Sequence, residues 1–201
     1  MASAVSTFVF ADLAGFTALT EAHGDVEAIE IATAFAGQVR CLLPEYGAEE
    51  IKTIGDEVMI RVVDPEQAVR LGLRIVAELA SPGSPPVRVG MHSGPAIGLD
   101  GDWFGGTVNL ASRVVGAAKA GEVLLTEDTG RQAGHAEGLE LEDQGRRYFR
   151  HLPEPVPVYR ALESGDPGRE LEVDPVCRMA VDPSEAAGSK HRRGLTYYFC
   201  S

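Results

Sequence analysis

Residues 5–11 (Val-Ser-Thr-Phe-Val-Phe-Ala) form an almost unbroken apolar run, which predicts a buried strand ending at Asp12, with Gly15 breaking it in a turn that opens a helix. A long helix follows over 25–43, where Val26, Ile29, Ala32, Ala36 and Val39 recur near a 3.6-residue period. Asp25 is its expected N-cap, and Pro44 lies just beyond its end. Two β-rich runs, 48–54 and 57–63, meet at Gly55-Asp56, a two-residue connection of the type II′ hairpin kind. A second helix over 66–80 places Ala68, Leu71, Ile75, Val76 and Leu79 on one side.

Pro and Gly make 81–86 a loop. A strand is expected over 87–92, with 94–99 continuing it or folding back, and a helix over 107–118 stopped by Gly121. A short strand (122–125), a helix (127–133), two strands (138–142 and 146–151) and a last strand (156–162) complete the unit. The order gives an α+β class: a ferredoxin-like βαββαβ core with additional C-terminal strands, spanning 5–163. Residues 164–173 read as a polar linker, and 174–201 as a short Cys-containing tail module too small to build a core unaided. No internal repeat is evident.

Charge narrows the picture. With 30 acidic and 18 basic residues the net charge is −12, which repels phosphate backbones and argues against nucleic acid as a partner. No apolar run approaches the ~18–20 residues of a membrane span, and no charged leader precedes the first strand, so the expected location is cytoplasmic, with no membrane partner. Cys41, Cys177 and Cys200 are odd in number and widely spaced, so no disulfide framework is implied. His23, His92, His135 and His151 show no metal-ligand spacing. The only lysines are Lys52, Lys119 and Lys190.

Three segments carry candidate chemistry. Phe8–Thr17 places Asp12 at the end of an apolar strand ahead of a Gly turn. Backbone N–H groups of such a turn suit phosphate oxygens, and the carboxylate suits a divalent cation held against them. A strand-end Asp capping the next turn accounts for the same residues. Lys52-Thr-Ile-Gly-Asp56 sets an acid at a hairpin tip beside a lysine, a pattern that ordinary turn chemistry also explains. In Asp102–Arg113, Asn109 and Arg113 lie four apart on one face of an otherwise apolar helix, a pair suited to phosphate or ribose, although a solvated Arg is the simpler alternative. No Gly-x-x-x-x-Gly-Lys-[Ser/Thr] phosphate loop is present.

Together, Phe10-Ala-Asp-Leu-Ala-Gly-Phe-Thr17, Lys52-Thr-Ile-Gly-Asp-Glu57, Val89-Gly-Met-His-Ser-Gly94 and Asp102–Arg113 resemble, in order and spacing, the class III adenylate and guanylate cyclase catalytic domain over about 6–162. The resemblance implies two Mg²⁺ or Mn²⁺ ions per site on Asp12 and Asp56, with Leu13 beside them. It implies Lys52 and Asp102 as readers of the base, the Gly15-Phe16-Thr17 turn as a substrate contact, and Asn109 and Arg113 as the transition-state pair. Adenine presents an acceptor at N1 and a donor at N6, which a Lys donor and an Asp acceptor match; guanine reverses the demand. The implied activity is therefore conversion of ATP to 3′,5′-cyclic AMP and pyrophosphate by a homodimer whose sites lie between the chains. A guanylate cyclase, or a non-catalytic nucleotide-binding dimerisation module coupled to a metal-binding tail, is the alternative. Many family members carry a late lysine on the triphosphate; here Arg150, in Arg146–His151, is the candidate for that contact.

The tail also resembles something. Asp174-Pro-Val-Cys-Arg-Met-Ala-Val181 with Tyr197-Tyr-Phe-Cys-Ser201 is similar to a truncated YHS domain, a small module associated with metal handling, without the further cysteine and Phe that usually follow. Cys177, Cys200 and His191 are its candidate soft ligands, so a metal ion at the tail is a candidate partner, although a closed zinc site normally has four ligands.

Overall fold

The N-terminal apolar run becomes β1 (Ala2–Leu13), which pairs antiparallel on one side with β3 (Glu57–Val62) and on the other with β4 (Val87–Leu99). The computed structural model describes residues 2–79, 81–134, 136–165 and 171–201, with 2–4 as backbone; His135 and half of the expected linker (166–170) lie outside them. The sheet continues through β2 (Ala48–Ile54), β6 (Val123–Thr126), β8 (Val156–Glu163) and β7 (Leu139–Arg147) in the order β2-β3-β1-β4-β6-β8-β7, and β5 (Asp102–Phe104) pairs with the far end of β4. Its β2-β3-β1-β4 portion is the ferredoxin-like arrangement, and β6, β8 and β7 are the additional strands.

Because side chains alternate along a strand, β1 serves two cores. Val9, Ala11 and Leu13 face α2 (Asp25–Leu42) and α3 (Pro65–Leu79), packing with Phe35, Val39, Val69, Leu71 and Ile75. Phe8 and Phe10 face the other way, with Met59, Trp103 and residues Ala111 and Val115 of α4 (Gly106–Ala117). Each fully buried Leu, Ile or Phe contributes about 1.5–3 kcal/mol. At Gly90 the α4 backbone rests directly on the sheet: an added Cβ would lie 2.0 Å from the Val115 nitrogen.

Several local expectations are corrected. Asp25 is the first helical residue rather than the cap, because α1 (Phe16–His23) ends at Gly24 and that glycine serves both helices. Val26 and Ile29 are exposed, and Ala28 and Phe35 take their place in the core. Residues 94–99 continue β4. The two strands expected over 138–151 are one strand, β7, interrupted by a register shift between Asp143 and Arg146. Gly55 has φ 62 and Asp56 does not share a positive φ, as a type II′ turn requires.

The C-terminal unit consists of short strands: β9 (Glu172–Val173) pairs with β10 (Ala180–Val181), and β11 (Gly188–Arg192) with β12 (Leu195–Phe199). It docks through backbone bonds, Gly83 N–H to Ala180 O (3.0 Å) and Ala180 N–H to Ser84 O (2.8 Å), and through His23, whose Nε2 meets Cys177 O at 2.7 Å. The His23 Nδ1 meets Glu27 Oε1 at 3.0 Å. Both partners are acceptors, so the doubly protonated ring satisfies both, and its pKa is raised first by the Cys177 carbonyl and then by Glu27. Among the described residues, no helix is long and apolar enough to cross a membrane.

Candidate active site

The strand register builds the centre of the site. Asp12 lies directly across from Glu57 on β3 and Arg88 on β4, so the three side chains form one row on the α4-bearing face of the sheet. Asp12 is 7% exposed, and Arg88 donates to its Oδ2 from Nε (2.7 Å) and Nη2 (2.5 Å). Asp56, at the hairpin tip, reaches the same place: its carboxyl is raised to about 7 by burial, then by the charge of Asp12 and by a side-chain hydrogen bond with Asp12. Glu57 is also raised to about 7, by burial and then by Asp12 and Asp56. Three carboxyl groups against one guanidinium leave an excess of hard oxygen ligands. Shared contact between Asp12 and Asp56 fits divalent cations of the Mg²⁺ or Mn²⁺ kind.

Beside this row the chain turns sharply. Gly15 caps α1 at φ 81 and ψ 28, a left-handed conformation that glycine adopts freely. Ala14 N–H donates to Pro86 O (2.7 Å), which ties the turn to the segment leading into Arg88. The first-turn N–H groups of Phe16 and Thr17 have no intrahelical acceptor, as a phosphate contact requires. Leu13 side-chain atoms belong to the α2/α3 core, so its part at a cation would fall to its backbone carbonyl.

The second cluster lies along β2, β5 and α4. Lys52 Nζ donates to Asp102 Oδ2 at 2.5 Å and sits 5.9 Å from the Phe104 ring centroid. The Trp103 N–H holds the other oxygen of Asp102 at 2.7 Å. The Asp102 carboxyl is lowered, chiefly by the Lys52 hydrogen bond. Asn109 is exposed on α4, one turn before the half-buried Arg113. The Arg113 guanidinium has no hydrogen-bond or ion-pair partner among the described residues, so its five donors are free for an anion.

The structure thus brings Asp12 and Asp56 together, and Lys52 and Asp102 together, with Asn109 and Arg113 on one helix face. β7 ends at Arg147, and Arg150 is exposed in the turn beyond it, with no hydrogen bond or ion pair to the other site residues among the described residues. Two residues without a sequence-based role join the site, Arg88 and Glu57. Strand alternation offered the signal for Arg88, since it shares a face with Gly90 and His92 just inside the Val89–Gly94 motif. In the tail, Cys177 and Cys200 come together with Asp174. His191 does not join them; it lies in β11, bonded to Thr196.

Residues 2–154 match the family model described as the adenylate and guanylate cyclase catalytic domain. The chain is 37% identical over 178 residues, 84% of its length, to a pH-sensitive adenylate cyclase of Mycobacterium tuberculosis. It is 35% identical over 176 residues, 87% of its length, to an adenylate cyclase of Streptomyces griseus. It spans 44% of the length of each of these relatives. A Trypanosoma brucei adenylate cyclase structure in its monomeric state superposes with a TM-score of 0.73 at 24% identity, covering 89% of this chain and 95% of that one, which shows the shared fold. With its motifs set in this sheet and most of its length matched, the chain belongs to the adenylate and guanylate cyclase catalytic domain family.

Proposed function

We propose that the chain is an adenylate cyclase that converts ATP to 3′,5′-cyclic AMP and pyrophosphate at two sites shared by a homodimer. The observation that carries this reading is the contact between Asp12 and Asp56, two carboxylates held together beside a turn with free N–H groups. In the reaction the 3′-hydroxyl of ATP loses its proton, its oxygen bonds to the α-phosphorus, and the bond to the β-phosphate oxygen breaks. Two Mg²⁺ or Mn²⁺ ions on Asp12 and Asp56 would supply hydroxyl acidification and charge neutralisation on the triphosphate.

The protein supplies the rest. Gly15, Phe16 and Thr17 hold phosphate oxygens through backbone N–H groups. Lys52 donates to adenine N1 and Asp102 accepts from N6. Asn109 orients the ribose for in-line attack, and Arg113 balances charge that builds on the α-phosphoryl group. Arg88 holds Asp12 in place. The exposed cross-strand pair Ile97 and Phe104, with Leu99 nearby, supports a partner chain packed over β4 and β5. Dependence on ATP supports a cytoplasmic location.

Incubating the protein with ATP or GTP and Mn²⁺, then separating products by chromatography, tests the reading. Cyclic AMP from ATP is expected. Preferential cyclic GMP formation, or nucleotide binding without any cyclic product, would overturn it.

A further inference from the structure

The Asp12 carboxylate already carries a cation. Arg88 sends two donors to a single oxygen, Oδ2, from Nε at 2.7 Å and Nη2 at 2.5 Å. We propose that Arg88 is a displaceable cap on the metal carboxylates: in the nucleotide-free chain its guanidinium competes with divalent cations for Asp12, so that a bare ion binds weakly until the arginine swings aside. The cap rests on the reading of Asp12 and Asp56 as the carboxylates that hold the metal.

A carboxylate offers about four lone-pair directions. The two Arg88 donors take those of Oδ2, and Asp12 also shares a side-chain hydrogen bond with Asp56. About one direction is left, whereas two ions bridging Asp12 and Asp56 need at least two. A cation that enters must therefore draw Arg88 off Oδ2. Charge acts in the same sense. A guanidinium and a divalent ion on one oxygen repel each other at close range, and Asp12 is 7% exposed, so water screens them little.

The arginine has a second resting place. Its side chain is 25% exposed, which leaves it room to turn. Its Nη1 already lies 3.4 Å from Gly116 O. Gly116 is in the last turn of α4, where unpaired carbonyls and the helix dipole favour a cation. Once released from Asp12, the guanidinium can settle against that helix end. The move exchanges a bond to β1 for one to the helix that carries Asn109 and Arg113. Arg88, Asp12, Asp56 and Gly116 all belong to one chain, so the cap needs no partner subunit.

A prop for Asp12 and a rival for its oxygens predict opposite results. If Arg88 only oriented the carboxylate, removing it would loosen the metal site. As a cap, its removal frees Oδ2 and tightens the site.

The test measures Mn²⁺ binding to the full, nucleotide-free chain at fixed pH and ionic strength, from the loss of the free-ion electron paramagnetic resonance signal. Arg88→Met should bind Mn²⁺ at least tenfold more tightly than wild type, a gain of ~1.4 kcal/mol. Arg88→Lys, which keeps the charge but not the paired donors, should fall between them. Arg147→Met removes an equal charge from the same helix end, where Arg147 donates to Ala117 O (2.6 Å), and should change the affinity by less than about twofold. Asp12→Ala should abolish binding in both the wild-type and the Arg88→Met backgrounds. In wild type, saturating Mg²⁺ should speed solvent exchange of the Arg88 Nε–H, followed by heteronuclear NMR, a readout that needs no variant. Affinity in Arg88→Met equal to or weaker than wild type, an equal gain in Arg147→Met, or unchanged Nε–H exchange under saturating Mg²⁺ would each overturn the cap. If Asp12→Ala removes binding while Arg88→Met fails to improve it, the cap falls alone; if tight binding survives Asp12→Ala, the metal role of Asp12 falls with it.

Discussion

Lys52 and Asp102, on strands fifty residues apart in sequence, are bound to one another at 2.5 Å in the nucleotide-free chain. Each therefore occupies the hydrogen-bonding position that the other would give up to a purine. Adenine replaces this pair with two bonds of the same polarity, whereas guanine would set its N1–H against the Lys donor and its O6 against the Asp acceptor. Lys52→Glu combined with Asp102→Cys should lower turnover of ATP and raise that of GTP relative to it. Competition between the two nucleotides reads the preference directly, and a double variant that keeps the parental ratio would remove both residues from base recognition.

Asp56 titrates near pH 7 in the folded chain against 3.8 for the free group. The native state thus holds the extra proton between those values, and stability from this group is present at low pH and lost as pH rises through about 7. Two consequences follow at pH 8, where Asp12 and Asp56 repel. Asp56→Asn should raise the thermal midpoint at pH 8 and leave it nearly unchanged at pH 5. Mn²⁺ should raise the wild-type midpoint more at pH 8 than at pH 6, because no proton then competes for the carboxylate. The same variant should lose more than tenfold in cyclase rate, a barrier increase of at least ~1.4 kcal/mol. Equal Mn²⁺ shifts at both pH values would contradict the assignment.

The order of elements was legible in the sequence because β1, α2, α3 and α4 carry strong apolar periodicity. The candidate site positions could be picked out in the sequence because Asp12 and Asp102 fall at strand ends, Asp56 at a hairpin tip, and Asn109 and Arg113 on one helix face. Arg88 and Glu57 were not, since their roles arise only when β1 pairs with β3 and β4 in one register. The contact of Asp174 with Cys200 was not legible for a similar reason: Asp174 acts as a turn residue toward Val176 and becomes a neighbour of Cys200 only when the tail folds back. Where β7 ends was not legible either: the strand stops at Arg147, which leaves Arg150 in the turn three residues beyond it.

His92 is partly buried beside Thr126, with Nδ1 2.7 Å from the hydroxyl, and burial lowers its pKa below 6.5. The unfolded chain therefore takes up this proton at a higher pH than the folded chain does. The contribution is complete above about pH 6.5 and is lost as pH falls toward the depressed native value. Urea denaturation at pH 7.5 and 5.5 should show a smaller pH dependence for His92→Gln than for wild type. An identical pH dependence in the two proteins would rule out this histidine as a source of acid sensitivity.

At Gly90 a methyl group would fall 2.0 Å from Val115 N and 2.3 Å from its Cα, both backbone atoms that no rotamer change can move. Gly90→Ala must push α4 off the sheet, and α4 carries Asn109 and Arg113. Overpacking of this kind costs about 1–3 kcal/mol or more. The urea midpoint should fall accordingly, and whatever protein remains folded should show a lower rate. An unchanged midpoint would mean that α4 does not rest on β4 as closely as the structure has it.

The last prediction concerns how sites are shared. Asp12 and Asp56 sit with Arg88 at one end of the sheet, whereas Lys52 pairs with Asp102 on β2 and β5, and Arg113 has no partner among the described residues. A two-fold axis lets each chain give its carboxylates to one site and its Lys52, Asp102, Asn109 and Arg113 to the other. Under that arrangement, Asp12→Ala and Arg113→Ala proteins are each inactive alone. A mixed dimer concentrates both lesions in one site and leaves the other whole. Random exchange makes half the dimers mixed, each with one working site of two, so activity should recover to about a quarter of wild type. Mixing the two proteins at equal concentration and following cyclic AMP as subunits exchange measures this. Persistent inactivity despite demonstrated exchange would mean that each chain builds its site alone, with Arg113 turned toward its own Asp12.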